Sequence, residues 1–101
     1  MADILLKIHA SYRQVVSICD KELLGKTLEQ GNRIIEIKHS FFKGEEKTEA
    51  EILKAIEIAS AEDSTFNIVG KKSVATALKA GIIKQEGIKK IQKIPLALGL
   101  L

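Results

Sequence analysis

The sequence predicts a small α/β domain of the α+β type, with a mixed sheet of about five strands and two main helices on one face. Three observations favour it. The chain opens with two β-branched-rich runs, residues 48–62 place apolar residues at helical spacing, and strand-like and helix-like segments alternate after residue 33. The 101 residues, 46% of them apolar, have the size of a single domain spanning 1–101.

The N-terminal segments predict a hairpin. ILLKIHAS (4–11) and RQVVSICD (13–20) are typical of two antiparallel strands that are joined at Ser11-Tyr12. The Asp20 carboxylate is then expected to cap a helical turn at 21–24, and Gly25 is expected to end that turn in the left-handed conformation.

The next segment predicts a turn and a third strand. QGN (30–32) is typical of a turn, and RIIEIKHS (33–40) alternates apolar and polar residues as a half-buried strand does. The aromatic pair 41–42 closes this strand. The adjacent glutamates 45–46 are expected to lie in a solvated turn.

The clearest helix is predicted for TEAEILKAIEIASAE (48–62). Thr48 and Glu51 have the spacing of a capping box, in which each side chain accepts a hydrogen bond from the other residue's amide. The apolar residues that follow recur at helical spacing, so one face of this helix is expected to be buried.

The C-terminal half predicts a strand, a helix and a second short strand. STFNIV (64–69) is typical of a buried strand, and KKSVATALKA (71–80) of a helix that Gly81 ends. A strand is expected near 88–91. The apolar tail PLALGLL (95–101) is expected to pack on the core or on a second subunit.

Composition predicts a cytoplasmic protein that does not enter a membrane. The N-terminus lacks the basic flank and apolar run of a signal peptide, and no segment has the roughly 18 apolar residues of a membrane span. The single cysteine, Cys19, has no partner within the chain for a disulfide, which fits a reducing compartment.

The charge is unevenly distributed. Residues 1–69 carry nine Lys or Arg and twelve Asp or Glu, whereas residues 70–101 carry seven Lys and only Glu86. This split favours an anionic partner for the C-terminal third. The alternative is a solvated lysine face without a ligand.

The strand-to-helix turn VGKKS suggests a phosphate site. It lacks the first glycine of a G-x-x-x-x-G-K-[ST] loop, because Thr65 stands there, so a nucleotidase is not predicted. Free amides at the start of the second helix, with the lysines beside them, could still hold one phosphate. The residues of this candidate site are Gly70, Lys71, Lys72 and Ser73. The alternative is an ordinary tight turn with exposed lysines.

A second basic segment, IKKIQK, contains Lys89, Lys90 and Lys93. On a strand, Lys89 and Lys93 would share a face and Lys90 would point the other way. Such a cluster suffices for phosphate-backbone binding. Residues 67–101 contain no aromatic residue for base stacking, so structured RNA or a ribosomal surface is the expected partner.

No catalytic, metal or cofactor site is assigned from the sequence. His9, His39 and Cys19 lack zinc-ligand spacing, and each histidine is expected to be an ordinary strand residue. Cys19, His9 and Asp20 could form a nucleophile and its base, but a small buried hydrophobe is the commoner role for such a cysteine. Whether the protein is an enzyme stays open.

Several fragments resemble a known family. These fragments are Cys19-Asp20, Glu22-Leu23-Leu24-Gly25-Lys26, Phe42 with Gly44, Asn67-Ile68-Val69-Gly70 and Ser73. Together they resemble the archaeal proteins catalogued as domain of unknown function 424, over nearly the whole chain. The family pattern ends in Gly-Val-Pro-His-Ala-Gln, whereas Leu96 follows Pro95 here, so the family histidine is absent.

The resemblance implies an archaeal cytoplasmic protein of α/β type with no agreed activity. It also implies genes that lie beside those for translation and ribosome assembly, which favours RNA or a ribonucleoprotein as partner. Within the matching segments, Lys26 is the residue whose side chain folding does not explain, so it is a candidate accessory binding residue.

Three functional hypotheses follow. The first is an accessory RNA-binding protein that uses the two basic segments. The second is a binder of, or enzyme for, a phosphorylated small ligand held by residues 70–73, with Lys26 or Asp20 nearby. The third is an assembly subunit, such as a homodimer formed through the apolar tail or a sheet edge.

Overall fold

The strands of the protein form one main sheet and one small sheet in the computed structural model, which describes residues 3–10 and 12–99. They are β1 (Ile4–His9), β2 (Val15–Asp20), β3 (Thr27–Gln30), β4 (Arg33–Glu36), β5 (Glu45–Lys47), β6 (Thr65–Val69), β7 (Lys89–Ile91) and β8 (Ile94–Gly99). Within the described residues the main sheet has six strands, not the predicted five or so, in the order β5-β1-β2-β6-β8-β7. Strands β3 and β4 form the small sheet. Among the strands of the described residues, β2 and β6 alone pair in parallel, so the sheet is mixed, as predicted.

The described part of the chain also contains three α-helices. They are α1 (His39–Phe42), α2 (Glu49–Ala61) and α3 (Lys71–Ala80), with single 3-10 turns at Lys21–Leu23 and Gln85–Gly87. The capping box before α2 is confirmed, because the Glu51 amide donates to Thr48 Oγ1 at 3.2 Å and the Thr48 amide to Glu51 Oε1 at 2.9 Å. Gly81 ends α3 in the left-handed conformation, also as predicted.

One face of the main sheet packs against α2 and α3. Alternate residues of the strands point to this face and meet apolar residues of both helices. The buried residues of this cluster include Val16, Ile18, Ile52, Ile56, Phe66, Ile68, Val74 and Ala97. Both long helices therefore cover the same face, and the described residues form one compact α+β domain.

The other face is covered by residues from the segment 21–42. Cys19 and Val69 point to this side, where they pack with Leu23, Ile37 and Phe42. The central strands are thus buried on both faces, which explains why their sequences are nearly continuous apolar runs rather than alternating ones.

The structure corrects several expected elements. The strand predicted for 33–40 ends at Glu36. His39 and the aromatic pair 41–42 lie in α1 and not in a strand. Strand β3 was not predicted, and the glutamates 45–46 lie in β5 rather than in a solvated turn. Both strands are short and mostly exposed, so they lack the apolar pattern that reveals a strand.

The tail belongs to the main sheet as β8. Pro95 lacks an N–H, and the carbonyl that this N–H would meet belongs to Gly70. The Gly70 carbonyl instead accepts from the Val74 amide, while the Pro95 carbonyl accepts from the Gly70 amide at 2.9 Å. Pro95 therefore leaves no carbonyl of Gly70 unpaired. Packing of the tail on the core is confirmed as far as Gly99. Leu100 and Leu101 lie outside the described residues, as does Ser11 of the predicted Ser11-Tyr12 turn.

The helices are short relative to a bilayer. Within residues 3–10 and 12–99, none of them is long and apolar enough to cross a membrane.

Gly44 is expected to tolerate no side chain. A Cβ atom at this position would overlap the Leu6 carbonyl of β1, whereas one at Gly87 would meet no atom within 4 Å. We therefore expect Gly44→Ala to lower the free energy of unfolding by about 1–3 kcal/mol, since backbone must shift. The matched control Gly87→Ala is expected to change it by less than about 0.5 kcal/mol. Urea denaturation measures both, and equal stabilities of the two variants would contradict the expectation.

Candidate functional site

The carboxyl end of the parallel strand pair β2 and β6 contains a buried carboxylate. Because Cys19 lies opposite Val69, the residues that follow these two lie side by side, and α3 begins directly after Gly70. Asp20 is only 2% exposed. Its Oδ1 accepts from the Ser73 amide at 2.8 Å and from the Ser73 hydroxyl at 2.7 Å, and its Oδ2 accepts from the Lys72 amide at 3.1 Å. Asp20 therefore caps the N-terminus of α3.

Gly70 is required by this arrangement. Its φ of +113° is a conformation that L side chains rarely adopt, and an added Cβ would overlap the Asp20 carboxylate. The absence of a side chain thus lets the carboxylate approach the helix amides. Asp20, Gly70 and Ser73 form a single structural unit.

This unit changes the interpretation of the predicted phosphate site. The expectation of free amides at the start of α3 is wrong, because Asp20 already occupies the amides of Lys72 and Ser73. The expected cap of the 3-10 turn is also wrong, since the Asp20 side chain makes no capping bond there. The positive end of α3 is therefore neutralised by an internal anion.

Lys72 is engaged by another carboxylate. Its Nζ lies 2.9 Å from Asp3 Oδ2, and this hydrogen bond raises the pKa of Lys72 and lowers the pKa of Asp3. The adjacent cavity of about 370 Å³ is lined by Lys71, Lys72 and two carboxylates, those of Asp3 and Glu49. Neither Gly70 nor Lys26 lines it. This cavity therefore has mixed charge and is not built for an anion.

The second basic segment forms a hairpin at the edge of the main sheet. Lys90 lies opposite Pro95, which in turn is hydrogen-bonded to Gly70. Since adjacent strands lie about 4.8 Å apart, the backbones of Lys90 and Gly70 are about 10 Å apart. The two basic segments therefore lie at the same end of the sheet, where β6 stops and the turn between β7 and β8 lies.

The turn between β7 and β8 positions Lys93. Gln92 and Lys93 both have positive φ, 53° and 66°, so they form a two-residue hairpin turn of the type usually made by Asn-Gly. The Gln92 amide donates to Gln30 Oε1 at 2.7 Å, which ties the turn to the small sheet. Lys93 lies in this turn and not in a strand, so the expectation that it shares a strand face with Lys89 is wrong.

The lysines of this hairpin lack acidic partners. Lys89, Lys90 and Lys93 are exposed, and no carboxylate of a described residue lies within 4.0 Å of their ammonium groups. In contrast, Lys72 and Lys79 pair with Asp3 and Glu49. The edge hairpin therefore carries three uncompensated positive charges within five residues of the chain.

Lys26 lies in the layer that covers the second face of the sheet. Its amide donates to the Leu23 carbonyl at 3.0 Å, and its carbonyl accepts from Ile37 at 2.9 Å. Its side chain is exposed and makes no hydrogen bond with a described residue of 70–73. An accessory role for Lys26 stays a prediction.

Cys19 is a buried core residue. It has no exposed surface, and burial, together with the nearby Asp20 charge, raises the pKa of the Cys19 thiol to about 12. The thiol donates to the Asp20 carbonyl at 3.2 Å. Because a thiol of this kind stays protonated at neutral pH, the alternative of a Cys19 nucleophile is not supported.

Sequence reasoning missed a pairing of His9 with Ser17. His9 Nε2 lies 3.1 Å from Ser17 Oγ and 2.9 Å from the Phe41 carbonyl. A carbonyl can only accept, so Nε2 carries the proton and is not a base for the buried Ser17. His9 also stacks on Phe41, at 4.5 Å between ring centroids. The pair therefore ties α1 to the sheet. It depends on the exact register of β1 against β2 and on the position of α1, which the predicted hairpin alone does not give.

The chemistry of metal ligation gives no further candidate. The part of the chain that the structure describes contains no group of three or more His, Cys, Asp or Glu side chains that could hold a metal ion.

Comparisons with known proteins agree with the fold. A family model described as "Protein of unknown function (DUF424)" matches residues 8–99. A crystal structure of an uncharacterized conserved protein from Methanopyrus kandleri is similar, with a TM-score of 0.83 and 24% sequence identity over 94% of this chain and 88% of that one. At this identity the likeness shows the fold alone. No curated protein matches.

Removal of the Asp20 carboxylate is expected to destabilise the protein and to create an anion site. Asp20→Ala leaves the buried amides of Lys72 and Ser73 unpaired, so we expect a loss of about 2 kcal/mol in the free energy of unfolding. Added acetate should restore part of the thermal stability of this variant but not raise that of the parent protein. Ser73→Ala, which keeps the amide bonds, should lose only about 1 kcal/mol and show no rescue. Equal responses to acetate would contradict this role of Asp20.

Cys19 is expected to react only in the unfolded protein. A disulfide reagent added at pH 8 should label the native thiol far more slowly than the thiol in denaturant, because the native thiol is buried and protonated. Fast stoichiometric labelling of the native protein would contradict the structural role of Cys19.

Proposed function

This chain belongs to the DUF424 family of proteins of unknown function, and we propose that it is an accessory protein that binds the phosphate backbone of structured RNA. The binding surface is the edge hairpin formed by β7 and β8. Its cations are Lys89, Lys90 and Lys93, with Lys71 at the same end of the sheet.

The observation that carries the proposal is the lack of acidic partners on this hairpin. On α3, Lys72 pairs with Asp3 and Lys79 pairs with Glu49. The lysines of the hairpin are exposed, and no carboxylate of the described residues lies within ion-pair distance of them. Clustered, uncompensated and solvated cations are what a polyphosphate chain needs, because its binding is driven by the release of counterions.

The distribution of aromatic residues favours structured RNA over an unpaired strand. Phe42 and Phe66 are buried, and Phe41 is half-buried against His9. Tyr12 is exposed, but it precedes β2 and so lies at the end of the sheet opposite the hairpin turn. The hairpin therefore offers positive charge without stacking platforms, which suits recognition of backbone and shape. An RNA fold or the RNA surface of a ribonucleoprotein is the proposed partner.

The geometry narrows the surface relative to the sequence prediction. Gly70 and Ser73 belong to the Asp20 cap, and Lys72 is paired with Asp3. These three residues are not included in the proposed RNA surface. For the same reason we do not propose a phosphorylated small ligand at this helix end.

The proposal predicts that the affinity for RNA falls steeply with salt concentration and that Lys71, Lys90 and Lys93 cause this dependence. We expect Lys71→Gln/Lys90→Gln/Lys93→Gln to weaken binding of a fluorescein-labelled, base-paired RNA hairpin by at least about tenfold at low ionic strength. The slope of log K against log salt should fall by about one for each lysine removed. Fluorescence anisotropy, titrated at several salt concentrations, measures both quantities.

A matched variant controls for net charge. Lys38 and Lys43 flank α1 and Lys54 lies in α2; all three are exposed, and Lys→Gln changes at all three remove the same charge. Binding by this variant should remain within about twofold of the parent protein. Absent or salt-insensitive RNA binding, or an equal loss in both variants, would rule the proposal out.

A further inference from the structure

A groove separates the small sheet from the outer part of β8. It has a volume of about 510 Å³, and its walls include Arg33, Ile34 and Ile35 on one side and Lys89, Leu96 and Leu98 on the other. A volume of this size is in the range of sites that hold ligands or peptide side chains. The question is what kind of molecule it fits.

The edge of β8 in this groove is open. Strand β7 pairs with β8 only as far as Leu96, which lies opposite Lys89, and the described residues provide no strand beside Leu98 on that side. The Pro95 carbonyl points towards β6, where it bonds Gly70, and main-chain groups alternate sides along an antiparallel strand. The amide and carbonyl of Leu98 therefore point away from β6 into the open edge.

The open edge is flanked by apolar side chains. Leu98 and Ile34 are each 66% exposed, although both are large hydrophobic residues. Natural sheets usually protect an open edge with charge or proline, since an unprotected edge pairs with other chains. Here the residue at the open position is a leucine, so the edge favours addition of a strand.

The charges of the groove select the partner. Arg33 and Lys89 both line it, and neither has a described carboxylate within 4.0 Å. A second copy of this chain placed edge to edge would bring these cations towards each other, which is unfavourable. A partner segment with carboxylates could instead form ion pairs with Arg33 and Lys89 while its apolar side chains contact the apolar surface of the groove.

We propose that this groove binds an extended acidic segment of a partner protein, which adds as a strand beside Leu98. Its main chain pairs with the Leu98 amide and carbonyl, its apolar side chains contact Ile34 and Leu98, and its carboxylates pair with Arg33 and Lys89. This surface shares Lys89 with the proposed RNA surface but does not include Lys71, Lys90 or Lys93, so it goes beyond the proposed RNA binding.

The first test exchanges the charges. The probe is a fluorescein-labelled peptide of four Glu-Val repeats, and its counterpart has four Lys-Val repeats. The parent protein should bind the acidic peptide at least about tenfold more tightly than the basic one at low ionic strength. Arg33→Glu/Lys89→Glu should reverse this preference, whereas Lys43→Glu/Lys54→Glu, which changes the net charge equally, should keep it.

The second test reads the strand pairing directly. Amide hydrogen exchange of ¹⁵N-labelled protein should be fast at Leu98 in the free protein and should slow at least about tenfold when the acidic peptide saturates it. The amide of Ile18, which is buried between strands, serves as an unaffected reference.

These outcomes decide the proposal. No peptide preference, a preference that the charge reversal leaves intact, or unchanged Leu98 exchange in the saturated complex would each overturn it. Light scattering that shows a dimer with Leu98 already protected would also overturn it, in favour of a second copy as occupant. The variant Lys71→Gln/Lys90→Gln/Lys93→Gln should still bind the peptide, so failure of RNA binding and failure of this proposal are distinguishable.

Discussion

The Asp20 carboxylate is the anion around which the carboxyl end of the main sheet is organised. It is removed from water, and a buried charge is stable only when its hydrogen bonds are satisfied. Two amides and one hydroxyl of α3 satisfy it, which fixes the helix to the end of the neighbouring strand. This contact requires glycine at position 70, because any side chain there would displace the carboxylate. The Gly70 amide in turn donates to the Pro95 carbonyl and so positions β8.

This internal anion determines where function can lie. In many α/β proteins the start of a helix after a parallel strand is where an external phosphate binds, because free amides and the helix dipole attract it. Here the same geometry is complete without a ligand, and Lys72 beside it is neutralised by Asp3. The unpaired cations on which both proposals rest lie outward from this position, on the edge hairpin and in the groove behind it.

What could be predicted from the sequence depended on how far apart the interacting residues are. The capping box of Thr48 and Glu51 is local, so its spacing alone revealed it. The partner of Asp20 is 53 residues away, and sequence favoured the adjacent turn because nothing in it shows that β2 and β6 are neighbours. The short strands β3 and β5 were missed because they bury too few residues to give a pattern. The basic segments were visible in the composition, but their position at one end of the sheet follows only from the strand register.

The length of β7 links the two proposed surfaces. Alternate residues of a strand point to opposite faces, so Lys89 lies on the groove side with Leu96 while Lys90 lies on the side of α3. A three-residue strand therefore supplies Lys89 to both proposed surfaces and Lys90 to the RNA surface alone. The same shortness leaves Leu98 unpaired, because the chain reaches β7 from the 3-10 turn Gln85–Gly87 and not from a longer strand. Two further paired residues in β7 would close the edge beside Leu98 without removing a single lysine. The open edge therefore depends on the length of β7, whereas the positive charge of the hairpin depends on its lysines.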